Sequence, residues 1–233
     1  MDYRIGKAFF NSLYLNKSFD VFDALIDLGE KSDNHTLKRL GIKCLYKKVK
    51  GYQLSSELGL NKGFMNKALS KVKKLHEGKD HKDVARCYKQ FAHLFIKFDM
   101  EDEANEMLSK AESIYKKVGE ETSFEMANII KNKARIASLK RDFSTAQSLF
   151  EEAINMKKSL IGEGEEKRLE SIYTQRTECY LNEKSDEAIS KAEALLDELD
   201  EIIVNGLSDK YFQSKNQVVI CNNMFRGKIA AIR

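Results

Sequence analysis

Small and apolar residues recur with a fixed spacing between Ala85 and Leu199. Ala104, Ala146 and Ala188 lie 42 residues apart, and a small or apolar residue follows each of them after four and after seven positions. A second series lies twelve residues upstream, at Ala92, Ala134 and Arg176. Such a period with two positions for small side chains is typical of stacked helical hairpins, because small residues let the two helices of a hairpin cross closely.

The same spacing divides the chain into segments. We expect an N-terminal helical region with irregular repeats over residues 1–83 and regular repeats over 84–125, 126–167, 168–208 and 209–233, the last one partial. In that last repeat, one helix is predicted to end at Asn223 and a second one to begin at Phe225. Arg176 stands where the pattern has a small residue, which weakens the sequence evidence for a third hairpin.

These positions resemble tetratricopeptide (TPR) repeats, and the segment Leu149–Lys167 is similar to the 42-residue variant of kinesin light chains. The resemblance implies an all-α fold, a right-handed superhelical solenoid of stacked antiparallel helical hairpins. The segment Phe19–Tyr46 more weakly resembles the peptide-pheromone receptors of Gram-positive bacteria and phages, of the Rap, PlcR and arbitrium types. That second resemblance implies a regulator that responds to a peptide.

Composition narrows the function. The 233 residues include 33% charged residues and no proline, and no apolar run reaches the roughly 20 residues that span a bilayer. We expect a cytoplasmic protein without a membrane partner. The four cysteines lie far apart, which indicates reduced thiols and no disulfide framework. Glycine-rich phosphate loops, nucleophile elbows and paired metal ligands on one helix are absent from the sequence, so we expect no enzyme, no cofactor and no metal.

Charge is unevenly distributed. The net charge is +4, but residues 34–98 contain 16 Lys or Arg and only 4 Asp or Glu. This asymmetry favours a partner with acidic groups, such as an acidic peptide or a nucleic acid. Solvated lysine-rich helix faces explain the same asymmetry and are the favoured interpretation.

One segment of this basic region, Leu54–Leu69, resembles a DNA-binding helix-turn-helix with its turn at Gly59. The second helix of such a motif enters the major groove, and flanking lysines contact phosphates. The residues in those positions are Asn61, Lys62, Asn66, Lys67, Lys71 and Lys74. An irregular helical hairpin explains the same pattern and is the favoured interpretation.

The TPR resemblance also implies a binding face, because the first helix of each TPR hairpin lines the concave side. The polar residues at those positions are Arg86, Lys89, Gln90, His93, Asn128, Lys131, Asn132, Arg135, Tyr173, Lys215 and Asn216. Amides donate to and accept from a peptide backbone, and cations bind carboxylates. We therefore predict a non-enzymatic scaffold that holds a peptide or an acidic segment. A peptide-responsive transcription regulator and a nucleic-acid binder are the alternatives. The apolar stripe of the C-terminal helices is expected to be covered by a short cap, by a further part of a longer protein, or by a second molecule in a homodimer.

Overall fold

Helices account for the regular structure throughout the part of the chain that the structure describes. The computed structural model describes the backbone of residues 15–52, 58–162, 165–206 and 212–232, and the side chains of residues 18–48, 59, 62–162, 165–166, 168–202 and 222–232. The chain divides into two compact units, Met1–Gly119 and Glu120–Arg233, here called the N-terminal and C-terminal units. None of the helices within the described residues is long and apolar enough to cross a membrane.

The N-terminal unit contains the helices α1 (Leu15–Lys31), α2 (His35–Tyr52), α3 (Leu58–Leu75), α4 (Lys82–Lys97) and α5 (Glu101–Lys117). Each helix packs against the next one along the chain, and the contact between α4 and α5 is the most extensive. The pair α1 and α2 crosses closely at two glycines. A Cβ atom at Gly29 would lie 2.7 Å from the carbonyl oxygen of Leu37, and one at Gly41 would lie 3.4 Å from the Cα of Ile26.

The C-terminal unit contains the helices α6 (Phe124–Leu139), α7 (Phe143–Leu160), α8 (Glu170–Glu183), α9 (Asp186–Gly206) and α10 (Phe212–Ile232), with a short 3-10 helix, Glu166–Leu169, directly before α8. Here too, consecutive helices pack in pairs, and α8 also contacts α6. Ser123 caps α6 through its hydroxyl, which accepts the amide of Met126 at 3.1 Å. Such a cap satisfies one of the free amides at the start of a helix.

The repeated small residues lie where the spacing predicts. Ala104, Ala146 and Ala188 are buried, and so are Ala92 and Ala134 on the partner helices. Their methyl groups leave room for the backbones of α4 and α5, and of α6 and α7, to approach each other. The predicted all-α architecture of antiparallel helical hairpins is therefore confirmed.

The third hairpin forms although Arg176 occupies a position for a small residue. The guanidinium extends sideways from α8 to α7, where its Nε donates to Gln147 Oε1 at 3.0 Å and its Nη2 lies 3.7 Å from Glu151 Oε2. The large side chain thus contacts the preceding hairpin and does not separate α8 from α9. Arg176 therefore adds a polar contact between α7 and α8, and the third hairpin is present.

Two sequence predictions are wrong. Gly59 lies inside α3, which begins at Leu58, so the expected turn of the helix-turn-helix is not at Gly59; residues 53–57, including Leu54 and Ser55, lie outside the described residues. The last repeat is not a hairpin, because α10 continues through Asn223 and Phe225 to Ile232. Phe225 and Ile229 are buried while Arg226 pairs with Asp197 and Asp200 of α9. This pairing along one side favours a continuous helix over a break.

Candidate functional site

The binding residues predicted on α4 lie beside its buried apolar side. Val84, Phe91 and Leu94 are among the buried residues of this helix, and Lys89 is buried with them. Arg86, Gln90 and His93 are half-buried. Arg86 Nη1 donates to Asp83 Oδ1 at 2.9 Å, one turn earlier on the same helix. Three of the four predicted positions on α4 are therefore accessible, and one of these three is already held by a carboxylate.

The equivalent residues on α6 are distributed differently. Arg135 is exposed and Asn128 is half-buried. Lys131 is buried, and its ammonium donates to Ser171 Oγ of α8 at 2.7 Å. Asn132 is 1% exposed, and neither polar atom of its amide has a hydrogen-bond partner among the described residues. Because α6 packs against both α7 and α8, Asn132 does not face an open groove, contrary to the sequence expectation.

Tyr173 is the predicted binding residue of α8, and it too is buried. Its hydroxyl donates to Glu198 Oε1 of α9 at 2.6 Å, and Lys158 of α7 donates to the same oxygen at 2.9 Å. Burial, followed by the hydrogen bond to Glu198, raises the pKa of Tyr173 to about 12. Tyr173 thus connects three helices instead of presenting its ring to a ligand. Lys215 and Asn216 belong to α10, but their side chains lie outside the described residues, so their role stays a prediction.

The residues of the nucleic-acid alternative lie on α3, which buries Met65, Ala68 and Val72. Lys67 and Lys71 both contact Glu30 of α1. Lys62 Nζ lies 5.1 Å from the centroid of the Phe95 ring. Asn66 and Lys74 are exposed, whereas the side chain of Asn61 lies outside the described residues. Three of these lysines therefore interact with groups of their own unit, and nucleic-acid binding stays a prediction.

A group that the sequence interpretation missed lies in the turn between α3 and α4. His76, His81 and Asp83 each offer one ligand-type atom, and these atoms lie within 4.8 Å of one another. Burial alone would raise the pKa of Asp83, but the guanidinium groups of Arg39 and Arg86 outweigh it and hold this pKa below its usual range. Burial, with the nearby His76, lowers the pKa of His81. The order His-x4-His-x-Asp is the sequence signal that identifies this group.

The cysteines match the sequence prediction within the described side chains. Cys44, Cys87 and Cys179 are buried free thiols. Burial raises the pKa values of Cys44 and Cys87 to about 12. Protonated, inaccessible thiols are poor nucleophiles and poor metal ligands. The side chain of Cys221 lies outside the described residues.

Solved structures of other proteins share this arrangement of helices. BtubC (BKLC) from P. vanneervenii matches with a TM-score of 0.64 and 19% identity, over 93% of this chain and 92% of that chain. TPR-like repeats of a kinesin light chain from Podosopora anserina match with a TM-score of 0.57 and 13% identity, over 86% of this chain and 97% of that chain. The fold is TPR-like. The resemblance to kinesin-light-chain repeats inferred from the 42-residue period is confirmed at the level of the fold.

A Rap protein, solved in complex with Competence and Sporulation Factor, matches with a TM-score of 0.60 and 14% identity. The match covers 99% of this chain but 64% of that chain, so the TPR-like chain spans less than two thirds of the Rap protein. Comparisons with protein-family models and with curated protein sequences give no match.

Proposed function

We propose that this TPR-like chain is a non-enzymatic scaffold that binds a peptide or an extended protein segment carrying acidic groups. The observation that carries the proposal is the accessible cations and amides on the first helix of a hairpin, taken separately for α4 in the N-terminal unit and for α6 in the C-terminal unit. Arg86, Gln90 and His93 on α4, and Asn128 and Arg135 on α6, are half-buried or exposed, while the apolar residues of these helices are buried. Gln90 on α4, and Asn128 and Arg135 on α6, are thus accessible beside the buried apolar residues of their helices, and we assign recognition to these three.

Each kind of side chain suits one part of a peptide. The amides of Gln90 and Asn128 can donate to and accept from a peptide backbone, which holds an extended chain whatever its sequence. The guanidinium of Arg135 can form paired hydrogen bonds with a carboxylate. Arg135 is the stronger candidate for this role, because Arg86 is already bound to Asp83. An acidic ligand also suits the excess of positive charge between residues 34 and 98.

The Rap protein supports the proposal by analogy, since a protein of the same fold was solved in complex with a separate factor. A narrower version, in which peptide binding controls a transcription regulator, is compatible with this likeness. Fold similarity alone does not identify a partner. The peptide-binding proposal therefore depends on the accessible residues of α4 and α6.

The proposal is tested by selecting ligands from a library of short random peptides rich in Asp and Glu, and measuring the best one by calorimetry. We expect Arg135→Glu to weaken binding about tenfold or more, since the loss of one charged hydrogen bond is worth about 1.5–3 kcal/mol. Asn128→Ala should weaken it by a smaller factor. Lys191→Glu is the matched control, because it makes the same charge change at an exposed position of α9 in the same unit.

Affinity in Lys191→Glu should stay within about twofold of the unmodified chain, as expected for a charge away from the ligand. Equal losses in Arg135→Glu and Lys191→Glu would mean that general electrostatic attraction, and not the face of α6, holds the peptide. Failure of the library to yield any ligand would contradict the proposal. Circular dichroism of each variant verifies that helicity is retained.

A further inference from the structure

The turn between α3 and α4 brings together two imidazoles and one carboxylate. His76 directly follows α3, His81 directly precedes α4, and Asp83 lies in the first turn of α4. Their side chains are 12%, 36% and 10% exposed, so the group is largely shielded but reachable from solvent at His81. The two histidines are separated by four residues, which falls within the spacing of three to five found between paired histidine ligands of zinc.

The three side chains converge on a single oxygen atom. Asp83 Oδ2 lies 3.2 Å from His76 Nε2 and 3.6 Å from His81 Nδ1. Ligand atoms about 3.3 Å apart are expected around a tetrahedral ion with bonds of about 2.0–2.1 Å. The two separations from Asp83 Oδ2 are therefore close to those between neighbouring ligands of one ion, and all three ligand atoms lie within 4.8 Å of one another.

Two arginines share the carboxylate between them. Arg86 Nη1 contacts Oδ1 at 2.9 Å, and Arg39 Nη2 contacts Oδ2 at 3.3 Å. Arg86 thus orients the carboxylate from the far side, as an outer partner of a metal ligand does. Arg39 instead places a positive charge at the oxygen that faces the imidazoles. A metal ion and Arg39 would compete for Oδ2.

We propose that His76, His81 and Asp83 form a binding site for a divalent metal ion of the zinc class, and that Arg39 contacts Oδ2 when the ion is absent. Two imidazole nitrogens and one carboxylate oxygen are a donor set that zinc accepts, with water as the fourth ligand. Calcium and magnesium prefer oxygen ligands and do not fit this set. The bound ion would connect the end of α3 to the start of α4 within the N-terminal unit.

Binding requires a small rearrangement at His81. Its ring is stacked on that of His76, with centroids 3.5 Å apart and an angle of 14° between the planes, and its Nδ1 accepts the amide of Asp83 at 3.1 Å. A ring in this position must rotate so that its nitrogen lone pair points to the ion. The partial exposure of His81 allows this rotation, whereas His76 already directs Nε2 to the carboxylate.

Calorimetric titration of the full chain, stripped of metal, with ZnCl2 at neutral pH tests the proposal. We expect one ion per chain and at least a tenfold loss of affinity in both His76→Gln and His81→Gln, because each substitution removes one of three protein ligands. Arg39→Gln should bind zinc several-fold more tightly, because the competing charge is gone. A purely structural ion-pair cluster would not give this gain. MgCl2 should give no binding heat in the same range.

His35→Gln is the matched control, because the His35 ring lies edge-on to His76 with centroids 6.2 Å apart but is not one of the three ligands. Its zinc affinity should stay within about threefold of the unmodified chain. The proposal is overturned by an absence of binding heat at millimolar ZnCl2, by unchanged affinity in both His76→Gln and His81→Gln, or by equal losses in His35→Gln. Circular dichroism separates loss of the site from loss of the fold.

Discussion

The helices α4 and α6 occupy the same place in successive repeats, yet their polar residues meet different surroundings. Gln90 on α4 is half-buried, whereas Asn132, 42 residues later, is buried without a hydrogen-bond partner among the described residues. Asp83 on α4 is surrounded by two arginines and two histidines. Its counterpart on α6 is Glu125, which is half-buried.

The difference comes from the neighbours of each helix. In the N-terminal unit, α2 and the turn before α4 supply the charged groups that surround Asp83. In the C-terminal unit, α6 packs against both α7 and α8, and Lys131 is bound to Ser171 of α8. The repeat period therefore predicts where a backbone position lies, but the adjacent helix determines whether the side chain is accessible. Two pairs of substitutions and one comparison across pH test this distinction.

The largest effect is expected from removing the carboxylate of Asp83. Asp83→Ala leaves two guanidinium groups and two imidazoles without their shared partner, so the free energy of unfolding should fall by about 2–3 kcal/mol. Glu125→Ala is the matched control and should cost less than about 1 kcal/mol, as expected for an acidic residue in the first turn of a helix. Urea denaturation followed by circular dichroism measures both. Equal losses would mean that the two first turns are energetically alike.

A smaller effect of opposite sign is expected at Asn132. Asn132→Leu replaces a buried amide that lacks partners with an apolar side chain, so the free energy of unfolding should rise by about 1–2 kcal/mol. Gln90→Leu, at the same repeat position of α4, should change it by no more than about 0.5 kcal/mol. The same denaturation experiment applies. Destabilisation by Asn132→Leu would show that its amide is satisfied in solution, and the contrast between the two helices would disappear.

The smallest effect on stability is expected in α8, the first helix of the third hairpin, and it concerns the buried Tyr173. Its pKa is about 12 in the folded chain and about 10 when unfolded, so its neutral form contributes stability below pH 10 that is lost as the pH rises towards 12. At pH 10.5 the free energy of unfolding should therefore be about 0.8 kcal/mol lower than at pH 8 on account of Tyr173. Tyr173→Phe should reduce the alkaline loss by that amount. An unchanged pH dependence would contradict the buried environment of Tyr173.

The fold could be predicted from the sequence because close helix crossings require small residues at regularly repeated positions. Ala104 and Ala146 repeat at a fixed interval, and any larger residue there would separate the helices. The burial of Asn132 could not be predicted in this way, because it depends on how α8 packs beside α6. The break expected near Asn223 was inferred by continuing the pattern of paired helices, while the contacts of Arg226 with α9 favour a continuous helix. His76 and His81 were overlooked because metal ligands were sought in pairs on one helix, whereas these two histidines flank the turn between α3 and α4.

The contact of Arg176 with Gln147 and Glu151 limits which hairpins of this chain can be exchanged for one another. Here the contact between the adjoining hairpins includes a hydrogen bond and a charge pair made by Arg176, whereas the same repeat position on α6 is the buried Ala134. Equal repeat length therefore does not make the hairpins interchangeable modules. A duplicate of the second hairpin inserted in place of the third would lack the guanidinium that bonds Gln147 and pairs with Glu151. Shuffled or consensus versions of this protein therefore need Arg176 and its two partners to be transferred together.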